Sequence, residues 1–160
     1  MATITAALTV NNDISDYGGP TINKTMTMTK EGSTVGLERT SGVQRKYLTA
    51  ANEVDLIQGA TGVVADMTVS ATASAAKVYI KYIEADTSKY VTISFGNAST
   101  SGSLTANDSN GAHMEIGRLY GDEWMIIPWD GTSAKGDITI LPSVATAADP
   151  AIIEYIVFFD

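Results

Sequence analysis

Along most of the chain, apolar side chains alternate with polar ones, chiefly threonine and serine, and the period is two rather than the 3.6 of a helix. The last nine apolar-rich positions, residues 151–159 (A-I-I-E-Y-I-V-F-F), read as a strand because they are β-branched and aromatic and follow the break Asp149-Pro150. Ile153, Tyr155, Val157 and Phe159 share one face; Ile152, Glu154, Ile156 and Phe158 share the other, which is apolar enough to need cover from a second layer or a neighbouring chain. Residues 122–129 repeat the pattern, with Trp124 and Ile126 opposite Met125, Ile127 and Trp129. Residues 77–96 predict a β-hairpin: Val78, Ile80 and Tyr82 alternate up to a polar loop at 85–89, and Val91, Ile93 and Phe95 alternate after it.

Weaker strands precede these. Residues 3–10 carry Ile4, Ala6, Leu8 and Val10 and read as an arm or edge strand, closed by the stop Gly18-Gly19-Pro20. Residues 21–29 place Ile22, Met26 and Met28 with Lys24 on one face, the pattern of a half-buried strand. Short strands are expected at 34–38, 43–48 and 53–57, the last with Val54 and Leu56 inward and Glu53 and Asp55 outward. Residues 63–70 alternate as one strand with Val63, Ala65, Met67 and Val69 inward. Residues 97–111 are a polar low-complexity segment expected to be an exposed loop. Residues 113–120 run to a turn at Gly121, from which 122–129 return. The whole predicts an all-β chain, an antiparallel β-sandwich or jelly roll of about eight to ten short strands spaced about ten residues apart. Residues 1–20 are expected to form an N-terminal arm or edge strand and 21–160 a single sandwich domain.

Composition narrows the chemistry. The 160 residues contain no cysteine, so packing alone must hold the fold. No apolar run reaches the about 20 residues of a membrane helix, and the start lacks the basic-then-apolar pattern of an export signal. A net charge of −8 argues against a nucleic-acid partner. The charge is uneven: Lys24, Lys30, Arg39, Arg45 and Lys46 outnumber Glu31 and Glu38 early, whereas after Gly121 only Lys135 stands against seven carboxylates. Cross-strand pairing accounts for this, or an acidic part that meets a basic partner or neighbouring subunit.

Catalytic equipment is sparse. His113 is the single histidine, without a Gly-x-Ser-x-Gly elbow, and an enzyme would need it beside a nucleophile in a pocket. Asp122 and Glu123 are consecutive and, on a strand, point apart, so they cannot flank one glycosidic bond. The oxygen-rich runs 11–16 and 107–111 lack the spacing of a calcium loop. No catalytic, cofactor or metal residue is therefore assigned. Trp124 and Trp129 could stack on a sugar, but among Met125, Ile126 and Ile127 they read as core or interface anchors.

The segments K-V-Y-I-K-Y-I-E (77–84), Y-V-T-I-S-F-G (90–96), I-G-R-L-Y-G-D-E-W-M-I-I-P-W (116–129) and I-E-Y-I-V-F (153–158) together resemble small β-sandwich virion proteins of tailed bacteriophages, over residues 63 to 160. The resemblance implies a jelly-roll module on the virion surface, made in the host cytoplasm, with capsid decoration or cement as the leading role and a tail or fibre component as the second. It implies contact with the major capsid protein or other virion subunits, and a homo-oligomer, without nucleic acid, membrane or cofactor; a glycan- or receptor-binding module is the rival. Candidate interface residues are Ile4, Leu8 and Tyr17 in the arm, Leu104 in the polar loop, and Ile152, Ile156 and Phe158 on the outer face of the last strand.

Overall fold

In the computed structural model the described residues are 5–10, 22–28, 37, 39–58, 63–64, 67–68, 76–96, 114–129 and 137–159. The last strand, β13 (Ala151–Phe159), organises them, and its burial alternates residue by residue. Ile153, Tyr155 and Val157 are fully enclosed, whereas Ile152, Glu154, Ile156 and Phe158 are half-buried, as in an antiparallel strand with one face on a core. Along one side β13 pairs with β8 (Ala76–Ile83), which pairs with β11 (Trp124–Trp129). Along the other it pairs with β4 (Gln44–Leu48) near its start and β3 (Arg39–Thr40) near its end. Between those two short strands Ser41 carries the ladder. Its N–H donates to the Val157 carbonyl at 2.9 Å and its Oγ accepts the Val157 N–H at 2.9 Å, while Gly42 takes the left-handed φ of 68° that the detour requires.

The second sheet runs in the order β10 (Met114–Tyr120), β9 (Tyr90–Phe95), β12 (Ile138–Pro142), β5 (Val54–Gln58), β6 (Val63–Val64) and β7 (Met67–Thr68), all antiparallel. Between the sheets lies one apolar cluster, with Val78, Ile80, Tyr82, Ile127 and Trp129 from the first and Val91, Ile93, Leu119, Ile138 and Ile140 from the second. The molecule is thus an antiparallel all-β sandwich, with ten strands of five residues or more and no helix among the described residues. A separate two-stranded sheet pairs β1 (Thr5–Val10) with β2 (Ile22–Thr27).

Several local expectations are corrected. Residues 77–96 are not a hairpin: β8 and β9 lie in opposite sheets, and residues 84–89 arch across the end of the sandwich. Likewise β10 and β11 do not pair with each other, and residues 121–123 form a second arch. The reason is burial. Each of these strands has one fully apolar face, and crossing between sheets turns those faces toward each other, whereas a hairpin would set them side by side with nothing above. The arches stack, so β8 pairs with β11 below and β9 with β10 above, the topology of a long ribbon rolled over itself as in jelly rolls. Residues 63–70 are not one strand either; β6 and β7 pair with each other, Val64 opposite Met67. The β2 strand is not half-buried, since residues 23–27 are all exposed and burial begins at Met28. Glu53, expected outward, is buried, and a register shift in the β5–β12 pairing lets Leu56 and Ile57 both enter the core.

Polar contacts fix the arches. Gly121 N–H donates to the Lys89 carbonyl at 3.2 Å, Asp122 N–H to Tyr82 at 3.0 Å, and Tyr82 N–H to Glu123 at 3.1 Å. Lys89 Nζ bridges Asp149 Oδ2 at 2.7 Å and Glu84 Oε2 at 3.1 Å, joining the first arch to the segment before β13. The Asp86 carboxylate accepts from the Ser88 hydroxyl at 2.6 Å and the Ser88 N–H at 2.9 Å, and Glu84 accepts the Asp86 N–H at 3.0 Å. These bonds favour the charged forms: Glu84 is held below its ordinary 4.5 mainly by the Asp86 N–H, and Asp86 below 3.8 by Ser88. Lys89 is raised above 10.5 by Asp149 and then Glu84. The depressed carboxylates contribute stability above their ordinary range that is lost as pH falls through their folded values. Lys89 contributes stability below its ordinary value that is lost only as pH rises through its higher folded one. The urea midpoint should therefore be level between about pH 6 and 9 and fall below about pH 4, with a shallower acid limb in Glu84→Gln; an identical acid limb in that variant would rule out this origin.

Candidate docking face

In an antiparallel pair, residues directly opposite each other share a face. The registers therefore assemble the outer face of the β11-β8-β13-β4 sheet row by row. Tyr47, Ile152 and Ile83 form one row; Arg45, Glu154, Lys81 and Trp124 the next; Ile156, Tyr79 and Ile126 the third; Phe158, Lys77 and Pro128 the fourth. Three rows are largely apolar and aromatic and each spans three strands, the last of them interrupted by Lys77, while the charged row runs through all four strands. Tyr47 is 58% and Trp124 48% exposed, while Ile152, Ile156, Phe158, Tyr79 and Ile126 are half-buried.

The charged row is internally ordered. Arg45 donates from Nε at 3.0 Å and Nη2 at 2.9 Å, both to Oε2 of Glu154, and Lys81 stands opposite Glu154 on the other side. Lys81 Nζ meets Asp122 Oδ1 at 2.6 Å, and Asp122 reaches it from a left-handed φ of 66° in the second arch. These hydrogen bonds raise the Arg45 and Lys81 cations above their ordinary values, and burial raises the Tyr79 phenol. Next to this row the Tyr79 and Trp124 rings lie 6.0 Å apart, tilted by 36°. The adjacent Lys46 points the other way, into the sandwich, where its ammonium reaches the Asp55 carbonyl and burial lowers its pKa.

The flank beside this face resists strand addition. The edge strand β11 carries Pro128, which has no N–H to offer a new strand. The edge strand β10 of the other sheet has a bulge between Glu115 and Gly117, and Glu115 and Arg118 stand exposed at 3.8 Å from each other. Arg118 also covers the Tyr90 ring at 4.6 Å, and Tyr90 packs on Tyr120 at 5.6 Å.

Of the expected interface residues, Ile152, Ile156 and Phe158 come together on this face. Leu8 lies on the separate β1–β2 sheet and is 45% exposed, and Ile4, Tyr17, Leu104 and His113 lie outside the described residues. Tyr47, Tyr79 and Ile126 were not among the expected interface residues, although Ile126 was placed on one face with Trp124 and the alternation in 77–83 marks Tyr79 as outward once Val78 and Ile80 are placed in the core. The two tryptophans part company: Trp129 is in the core and Trp124 on the outer face. Among the described residues no group of three or more His, Cys, Asp or Glu converges as a metal site would need. No known protein-family model matches the chain, and no curated protein matches it either.

Proposed function

We propose that the protein is a structural virion component that decorates a bacteriophage capsid and stabilises it through protein–protein contacts with the shell subunits. The observation that supports this most is the outer sheet face, where rows of apolar and aromatic side chains lie on either side of a charged row, beside a β11 edge that carries Pro128. Such a surface gains about 1 kcal/mol for each half-exposed aliphatic side chain that a partner covers. A protein that binds only the assembled shell shifts the assembly equilibrium by mass action, which is how a cement acts. Shells with and without the bound protein should differ in survival on heating and at low salt, and Trp124→Ala should remove the difference; equal survival of bare and decorated shells would refute the role.

The exposed Trp124 beside Tyr79 also supports a second reading, a glycan-binding face in a tail or fibre component. It requires a change in Trp124 fluorescence on titration with glycans, against a constant background from buried Trp129.

A further inference from the structure

The charge on the outer β11-β8-β13-β4 face runs against that of the molecule. The chain has ten Lys and Arg against eighteen Asp and Glu. Among the described residues, the four rows of the face, with the Asp122 carboxylate that reaches them from the second arch, hold three of those cations and two of those carboxylates: Arg45, Lys77 and Lys81 against Glu154 and Asp122. The face is therefore slightly cationic on a protein of net charge −8. Both carboxylates are engaged within it, Glu154 by Arg45 at 2.9 Å and Asp122 by Lys81 at 2.6 Å. Lys77 is the cation left over. It has no ion-pair partner among the described residues and sits, half-buried, in the fourth row between Phe158 and the exposed Pro128.

A lysine in such a place lays its stem along apolar neighbours and keeps its ammonium in water. A partner that covers the row strips that water away, and burying the charge unpaired costs more than the surrounding apolar contacts return. A counter-charge on the partner removes the penalty, and a second cation there adds to it. We propose that the protein surface seated on this face is apolar and carries a carboxylate, from Asp or Glu, that pairs with Lys77 between Phe158 and Pro128. Charge complementarity selects this partner over a purely apolar or a basic one. The inference rests on reading the sheet face as a docking surface, and it names the chemistry of what docks there.

Binding of the full chain to two probes tests it: shells that lack the protein, and a monolayer of alkyl chains with mixed methyl and carboxylate ends. On both, Lys77→Glu should raise the Kd at least about tenfold, Lys77→Met about fivefold and Lys77→Arg less than about twofold, with melting temperatures unchanged. Lys24→Glu, on the separate β1–β2 sheet, should bind as the wild type does. Tighter binding of shells by Lys77→Met would make the partner purely apolar, tighter binding by Lys77→Glu would make it basic, and indifference to every change would put Lys77 outside the contact; each of these overturns the proposal. If the Lys77 variants bind shells like the wild type while Trp124→Ala does not, the acidic partner fails and the docking reading of the face stands. A wild type that ignores bare shells refutes the capsid role instead, and the monolayer then decides the chemistry of the face by itself: equal capture of wild type and Lys77→Glu overturns the proposal, and selective loss in Lys77→Glu upholds it.

Discussion

Gly121→Ala should destabilise the protein by about 3 kcal/mol and lower its melting temperature by about 6–12 °C. A Cβ at this position would lie 2.6 Å from the Asp86 carbonyl oxygen, 2.7 Å from that of Glu84 and 3.0 Å from the Asp86 carbonyl carbon. All three are backbone atoms of the other arch, so no side chain can swing aside and the arches themselves must separate. Separation stretches the bonds from Gly121 N–H to Lys89 and from Asp122 N–H to Tyr82, and those bonds hold the two crossings in register. The control is Gly117→Ala on β10, where a Cβ meets nothing within 4 Å. Its melting temperature should match the wild type. If Gly121→Ala melts with that control, the close stacking of the two arches is wrong.

Trp129→Ala should cost about 3–5 kcal/mol, read as a fall in the urea midpoint, whereas Trp124→Ala should cost less than about 1 kcal/mol. The two residues lie five positions apart on one strand, yet Trp129 is 3% exposed in the central cluster and Trp124 is 48% exposed on the outer face. Removing the first leaves a large cavity between the sheets; removing the second takes away surface that only a partner would cover. Loss of assembly or shell protection in Trp124→Ala with stability intact would separate docking from folding. Equal destabilisation by both substitutions would place Trp124 in the core and remove the main support for the docking face.

Much of the fold was legible because a period of two needs only local information. The inward set Ile153, Tyr155, Val157 and the split of residues 124–129 into two faces follow from alternation, and both are found in the structure. The pairing of strands was not legible in the same way. Val78-x-Ile80-x-Tyr82 and Val91-x-Ile93-x-Phe95 look the same whether they meet edge to edge in a hairpin or face to face across a sandwich. The loop at 84–89 can serve either geometry, and the capture of Lys89 by both Glu84 and Asp149 is visible only when residues distant in sequence are brought together. The candidate face was legible in part: Ile152, Ile156 and Phe158 announce an apolar outer side, but their continuation through Tyr79, Ile126 and Trp124 requires the register of three strands.

By itself, then, the amino-acid sequence determined the class of structure, the faces of its strongest strands and the absence of disulfide staples, because each of these is set by side chains within reach of their own neighbours. The tertiary structure alone decided which strands share a sheet, that Gly121 sits where no Cβ fits, and that one aromatic face is left uncovered beside edges closed by Pro128 and the β10 bulge. Those outcomes depend on long-range burial, in which two apolar faces gain more by covering each other than by lying side by side, and no local pattern encodes which face will find which partner.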